Sequence, residues 1–350
     1  MPVLSYQKVG IVLKRGGGRG TRQQVKDLQR DLRRLGYLRS GIDGGFGPGT
    51  ELAVKALQHD LLDNAGRSTR RDGDAPVPVL DYNRGRVDDV TGRVDKDLAG
   101  CIADMLDDPK FPKLPFSENP REENRKIVAQ LAALKSKKVP IPFLLAIMKQ
   151  ESNLKHFRVP RGRNEDNYII VGLDTNAGKK YIITSRGYGL GQYTLFHHSP
   201  RREEVRDFII DPKGNLQKAI GELREKFDHF VIGKSSGTRA DDRLVEIGKG
   251  PLRVCKYKPG DKRYMKDCAQ CLRDAGMRQI RSGVTPFHKG TKRTYQPTQY
   301  YKTGDYSNVP IRKNVGCDWP YAVRRYNGSG INSYHYQTRV LKHLLALKTA

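Results

Sequence analysis

The stretch PIPFLLAIMKQESN, residues 140–153, read with GYGLGQ at residues 187–192, decides how this chain is understood. Pro140 and Pro142 suit the first turn of a helix, where a missing N–H costs nothing. From there Leu144, Ile147, Met148 and Glu151 recur at three- and four-residue steps, so all four share one helical face. A carboxylate on an apolar face is unusual. Burial there disfavours its charged form, which is what a general acid at neutral pH requires. The plainer alternative is a Glu at a helix end whose carboxylate reaches solvent. Downstream, the three glycines of residues 187–192 are spaced to let backbone approach a ligand, with Tyr188 offering an aromatic face and Gln192 an amide.

Two further pieces follow in order: DPKGNL at residues 211–216 opens a helix, and AVRRYNGSG at residues 322–330 closes one. The ordered set resembles the lysozyme-like superfamily of lytic transglycosylases and goose-type lysozymes, over about Arg121 to Lys348. The resemblance implies a helical domain with a small β-hairpin. It also implies cleavage of the β-1,4 bond between N-acetylmuramic acid and N-acetylglucosamine, with Glu151 as general acid and base. In lytic transglycosylases the sugar's own C6 hydroxyl closes a 1,6-anhydro ring, so one carboxylate suffices. Inverting muramidases instead hold a water with hairpin aspartates, a task for Asp174 and less readily Asp166. The same resemblance gives sugar contacts to Gln192, Tyr188, Tyr326, Asn327 and Ser185. Gly191 departs from the Met that many relatives carry. No metal or organic cofactor is implied.

The runs YIIV (168–171) and YIIT (181–184) bracket DTNAG (174–178), the pattern of a hairpin within the long excursion between Glu151 and the glycine loop.

At the other end, Val25, Leu28, Leu32 and Leu35 form a helical stripe behind Thr21 as cap, and Gly36 ends it. GGFGPGT (44–50) turns into a second helix with Leu52, Ala53, Leu57 and Leu61, and the device recurs before a third with Leu98, Ile102 and Leu106. This pattern looks like a peptidoglycan-binding module of the three-helix type, departing from it by a polar insert at Arg67 to Arg86. Tyr37, Asp43, Phe46 and Gln58 would shape its groove for a peptide stem. Asp108 to Pro120 contains four prolines and reads as a linker. The expected organisation is mainly α (α+β): a three-helix wall-binding domain at 1–108, a linker at 109–120, and a lysozyme-like catalytic domain at 121–350.

Composition bounds the partners. The 350 residues suffice for two domains, and no apolar stretch is long enough to span a bilayer. Of the net charge of +27, almost all lies beyond residue 108: the first 108 residues hold 18 Lys+Arg against 16 Asp+Glu. Such a field draws polyanions, either nucleic acid or the anionic polymers of a bacterial envelope. The Lys- and Tyr-rich stretch Lys256 to Val315 suits nucleic acid or sugar rings, or is an irregular insertion held by cysteines. Cys101 falls in an apolar helical pattern. Cys255, Cys268, Cys271 and Cys317 are compatible with zinc, disulfides or plain thiols.

The N-terminal residues lack the apolar run of a signal peptide. Together these features point to a monomeric, endolysin-like enzyme, held in the host cytoplasm or carried in a virion, and acting on peptidoglycan strands. A catalytically silent wall-binding or virion protein and a nucleic-acid-binding protein are the competing readings.

Overall fold

The computed structural model describes residues 3–66, 77–134, 136–196, 201–232, 253–275, 315–327 and 331–347. Among them are ten helices and one three-stranded antiparallel sheet, the mainly α composition expected from the sequence. None of these helices is long and apolar enough to cross a membrane. The chain divides into two compact units: residues 1–128 with 155–216, and residues 129–154 with 217–350.

In the first unit, α1 (Arg22–Arg34) starts at a reciprocal cap. The Gln24 N–H donates to Thr21 Oγ1, and the Thr21 N–H to Gln24 Oε1. Its stripe Val25, Leu28, Leu32 is buried as the spacing predicts. α2 (Pro48–Asp63) begins at a proline, and α3 (Lys96–Asp107) at Asp95, whose carboxylate accepts the Leu98 N–H. One device repeats. The Gln29 amide oxygen accepts the N–H groups of Asp43 and Gly44, and that of Gln58 accepts the N–H of Gly92. Gly44 and Gly92 sit at φ +79° and +73°, a conformation that favours glycine, so each helix anchors the tight turn ahead of the next.

The expected linker at 109–120 is packed into this unit. Phe111 and Leu114 are buried, and the N–H of Leu114 donates to Arg34 O at 2.7 Å. Its prolines set an extended path while its apolar residues find the core. A hairpin forms where expected but is displaced along the chain. β1 (Val171–Thr175) pairs with β2 (Ile183–Tyr188), which pairs with β3 (Tyr193–Phe196). The connection from β1 to β2 opens at Asn176, whose side chain accepts the N–H groups of Gly178 and Lys179, and Asp174 lies inside a strand opposite Ser185.

The two units part at residues 128/129, 154/155 and 216/217, and two buried ion pairs tie the helical module to residues 166 and 186. Arg186 on β2 reaches Asp60 on α2 at 3.0 Å, and Tyr37 donates its hydroxyl to the same carboxylate at 2.8 Å. Arg33 on α1 meets Asp166 at 2.6 Å, both fully buried. Burial alone would raise the Asp60 carboxyl, yet His59, Arg186 and Tyr37 together hold it below its ordinary value. Burial brings Arg33 down to about 10, against the opposing pull of Asp166.

In the second unit, α5 (Ile141–Ser152) packs against α10 (Ile331–Ala346) and α9 (Trp319–Tyr326). Phe143, Leu144, Ile147 and Met148 of α5 are buried, with Val323, Val340, Leu341 and Leu344 in the same core. Trp319 stacks on Phe227, the last residue of α7 (Pro212–Phe227), at 4.1 Å between ring centroids. α8 (Cys268–Asp274) also belongs to this unit, whereas α6 (Arg202–Glu204, continued by a π-turn over Val205–Ile209) and most of α4 (Pro120–Ala132) belong to the first.

Removing Asp60 strands a buried guanidinium, so Asp60→Ala is expected to cost about 3–5 kcal/mol in urea unfolding. Asp60→Leu with Arg186→Met should recover most of that loss. Because the Asp60 pKa is lowered on folding, its contribution holds at neutral pH and fades as pH falls below the ordinary 3.8.

Candidate functional site

Glu151 lies in the last turn of α5, on the helical face predicted from the sequence, and is half-buried. The helix stops one residue later because Asn153 turns left-handed at φ +56°, returning its N–H to Lys149 O. Tyr336, from α10, donates its hydroxyl to Glu151 Oε1 at 2.5 Å. Tyr326, from α9, lies parallel to Tyr336 with 6.4 Å between ring centroids. Burial, and then the Glu151 carboxylate, push both phenols well above their ordinary pKa, so both remain protonated and able to donate. The sequence reading named Glu151 and Tyr326 but not Tyr336, which the structure places against Glu151. The only sequence signal for it was a tyrosine on the apolar closing helix. Asn327 caps α9 and is exposed, and the glycines that follow it in the motif lie outside the described residues.

Asp174, Ser185, Tyr188 and Gln192 belong to the first unit. The glycine loop there closes on its own chain. Gly187 and Tyr188 end β2, and the loop turns into β3. At Gly189 (φ +69°) a Cβ would stand 2.6 Å from the His156 ring and 3.0 Å from the Asn215 amide. At Gly172 and Gly187 it would meet the Gln192 side chain. Gly172, Gly187 and Gly189 thus make room for His156, Asn215 and Gln192.

Asn215, from the DPKGNL motif, accepts the Gly191 N–H at 2.8 Å and donates to Tyr188 O at 3.0 Å. Gln192 gives its amide to the carbonyls of Gly189 and Ile170. Tyr188 is fully buried, so it offers no aromatic face to solvent. Ser185 donates its hydroxyl to Asp174 Oδ2 at 2.9 Å across the hairpin, and Asp174 is exposed. Asp166 is spent on Arg33.

His156, which sequence reasoning overlooked, holds this loop in place. Its Nε2 donates to Ile209 O at 2.7 Å and its Nδ1 accepts the Leu190 N–H at 3.3 Å, a neutral tautomer with both nitrogens used. Burial pushes its pKa down to about 4.

The four wall-module residues have distinct places. Tyr37 is buried under Arg186, with the guanidinium 5.4 Å from its ring centroid. Gln58 is buried and bound to the turn at Thr91–Arg93. Asp43 is exposed and receives the Gly45 N–H and the Gln29 amide. Burial would raise its pKa, but these bonds hold it below the ordinary value. Phe46 is half-buried against the core.

Cys255, Cys268, Cys271 and Cys317 line one small enclosed space beside Met265 and Trp319. No disulfide joins them, and among the described residues no group of three or more ligating side chains is arranged to hold a metal ion. Burial raises the Cys268 and Cys271 thiols and pushes Cys317 up to about 12, so these three are held as neutral thiols. Cys101 is buried in the core, as expected. Much of the basic stretch Lys256 to Val315 lies outside the described residues.

Comparison with known families places a class on one part of the chain. Residues 21–61 match the family model described as "Putative peptidoglycan binding domain". This segment, α1 and most of α2 with the turn between them, is a peptidoglycan-binding domain by this match, which supports binding to peptidoglycan. Neither the curated proteins nor the solved structures contain a match to the chain.

The His156 pKa falls from 6.5 to about 4 on folding, so the unfolded chain takes up the proton first as pH drops. Stability should decline between pH 6.5 and 4, by up to about 3 kcal/mol from this group. His156→Gln keeps one donor and one acceptor without titrating. Its urea-unfolding free energy is expected to vary less over this window than that of the wild type.

Proposed function

We propose that the chain is a peptidoglycan-degrading enzyme. In this reading it cleaves the β-1,4 bond between N-acetylmuramic acid and N-acetylglucosamine by lytic transglycosylation. The observation that carries this reading is the Glu151–Tyr336 hydrogen bond. A carboxyl group at the end of an apolar helix face, oriented by a buried hydroxyl, suits proton transfer to a glycosidic oxygen. The peptidoglycan-binding domain at 21–61 supports the choice of substrate.

The Glu151 carboxyl gives its proton to the leaving oxygen as the bond from the muramyl C1 breaks, through an oxocarbenium-like transition state. The resulting carboxylate takes the proton of the C6 hydroxyl, whose oxygen closes on C1. Atoms and charge balance without water, a metal or a second carboxylate. Tyr336 acts as a positioning residue, fixing Oε1 so that one face of the carboxyl is presented. An endolysin-like or virion-borne enzyme fits the basic charge and the wall-binding domain.

Mass spectrometry of muropeptides released from purified peptidoglycan tests this reading. The wild type should yield products lighter by one water than hydrolysis gives, and Glu151→Gln should yield none. Reducing-end products would make water the acceptor and Asp174 the next residue to change. Absence of any glycan product from the wild type would overturn the enzymatic reading. Tyr336→Phe should lower kcat on the order of ten- to a hundredfold with KM little changed, since it loses one hydrogen bond to a charged group.

A further inference from the structure

Within the first unit, the peptidoglycan-binding helices and the β-hairpin enclose a pocket of about 500 Å³. That lies inside the ~300–1,000 Å³ range of small-ligand sites. One wall is the face of α2 carrying Leu52, Ala53 and Ala56, and the other is the hairpin with Leu173 and Ile183. Arg39 and Lys180, both exposed, contribute cations from opposite walls, and among the described lining residues there is no carboxylate. Tyr37, the one aromatic residue of the lining, is 1% exposed and engaged with Asp60, so no free ring is offered for stacking on a sugar.

The geometry points to this pocket as a composite subsite for the peptide stem of peptidoglycan, completed by the hairpin and not by the binding module alone. Aliphatic walls suit the methyl and methylene groups of alanine and diamino-acid residues. The two cations suit the carboxylates of such a stem, which an uncharged glycan lacks. Ser40 and Thr175 place hydroxyls along the same lining, where amide groups need partners. The Asp60–Arg186 pair joins α2, one wall of the pocket, to β2 of the hairpin. This inference rests on the wall-binding assignment and not on the chemistry of Glu151.

The test uses the full chain carrying Glu151→Gln, a fluorescein-labelled synthetic pentapeptide stem and intact sacculi. The expected result is anisotropy-detected binding of the stem, weakened about tenfold or more by Arg39→Ala with Lys180→Ala. Both side chains are exposed, and unchanged thermal melting would exclude misfolding. Lys180→Glu should weaken binding further by setting like charges together. Stem binding that the variants leave unchanged would overturn the assignment to this pocket. No stem binding by a chain that still sediments with sacculi would also overturn it, leaving wall binding intact. Failure to bind sacculi at all would overturn the wall reading itself.

Discussion

The guanidinium of Arg186, held against Asp60 in a site neither side chain can leave, is the interaction on which the first unit depends. A buried cation is tolerable only when a carboxylate stands beside it. Here that carboxylate belongs to a helix of the peptidoglycan-binding domain, and the cation to a strand 126 residues further along the chain. Once the pair forms, α2 and the hairpin cannot part without losing the attraction between the two charges and the packing around them. Tyr37 adds a hydroxyl to Asp60 and a ring face to Arg186, so the contact is neutralised, hydrogen-bonded and packed at once. Arg33 on α1 with Asp166, in the chain ahead of β1, adds a second buried pair.

That constraint changes what the wall-binding domain can be. A small helical module on a proline-rich tether would sample the wall independently of whatever follows it. Here the supposed tether is buried through Phe111 and Leu114, and the module shares one hydrophobic core with the sheet. A ligand surface on α2 is then shaped in part by residues that no isolated module would contain. The glycine-rich loop belongs to the same economy of space. Its glycines admit His156, Asn215 and Gln192, and their side-chain bonds pin the turn between β2 and β3.

The second unit supplies a different kind of constraint. Glu151 occupies the last turn of a helix whose other buried residues are apolar apart from Ser152, and left-handed Asn153 stops that helix. A carboxyl in such a place needs a partner that neither neutralises nor displaces it. A tyrosine hydroxyl does this, because burial and the nearby negative charge both keep it protonated. The proposed proton transfer thus relies on a carboxyl held by packing and by the Tyr336 hydroxyl.

The helices, their caps and the half-buried Glu151 were legible in the sequence because 3.6-residue periodicity and capping chemistry are local. The peptidoglycan-binding pattern was legible for the same reason, since its glycine turns and glutamines recur at fixed spacing along the chain. The hairpin was visible as β-branched runs, but its register was not. The strands lie a few residues further along than those runs, with Asp174 in β1 and Asn176 opening the turn, which depends on side-chain hydrogen bonds that composition does not rank. Only tertiary structure decided that Asp60 meets Arg186, that Tyr336 meets Glu151, and that the glycine loop folds around His156. Each of these joins residues far apart in the chain, and a buried charge or hydroxyl carries no local mark of the partner that makes its burial tolerable.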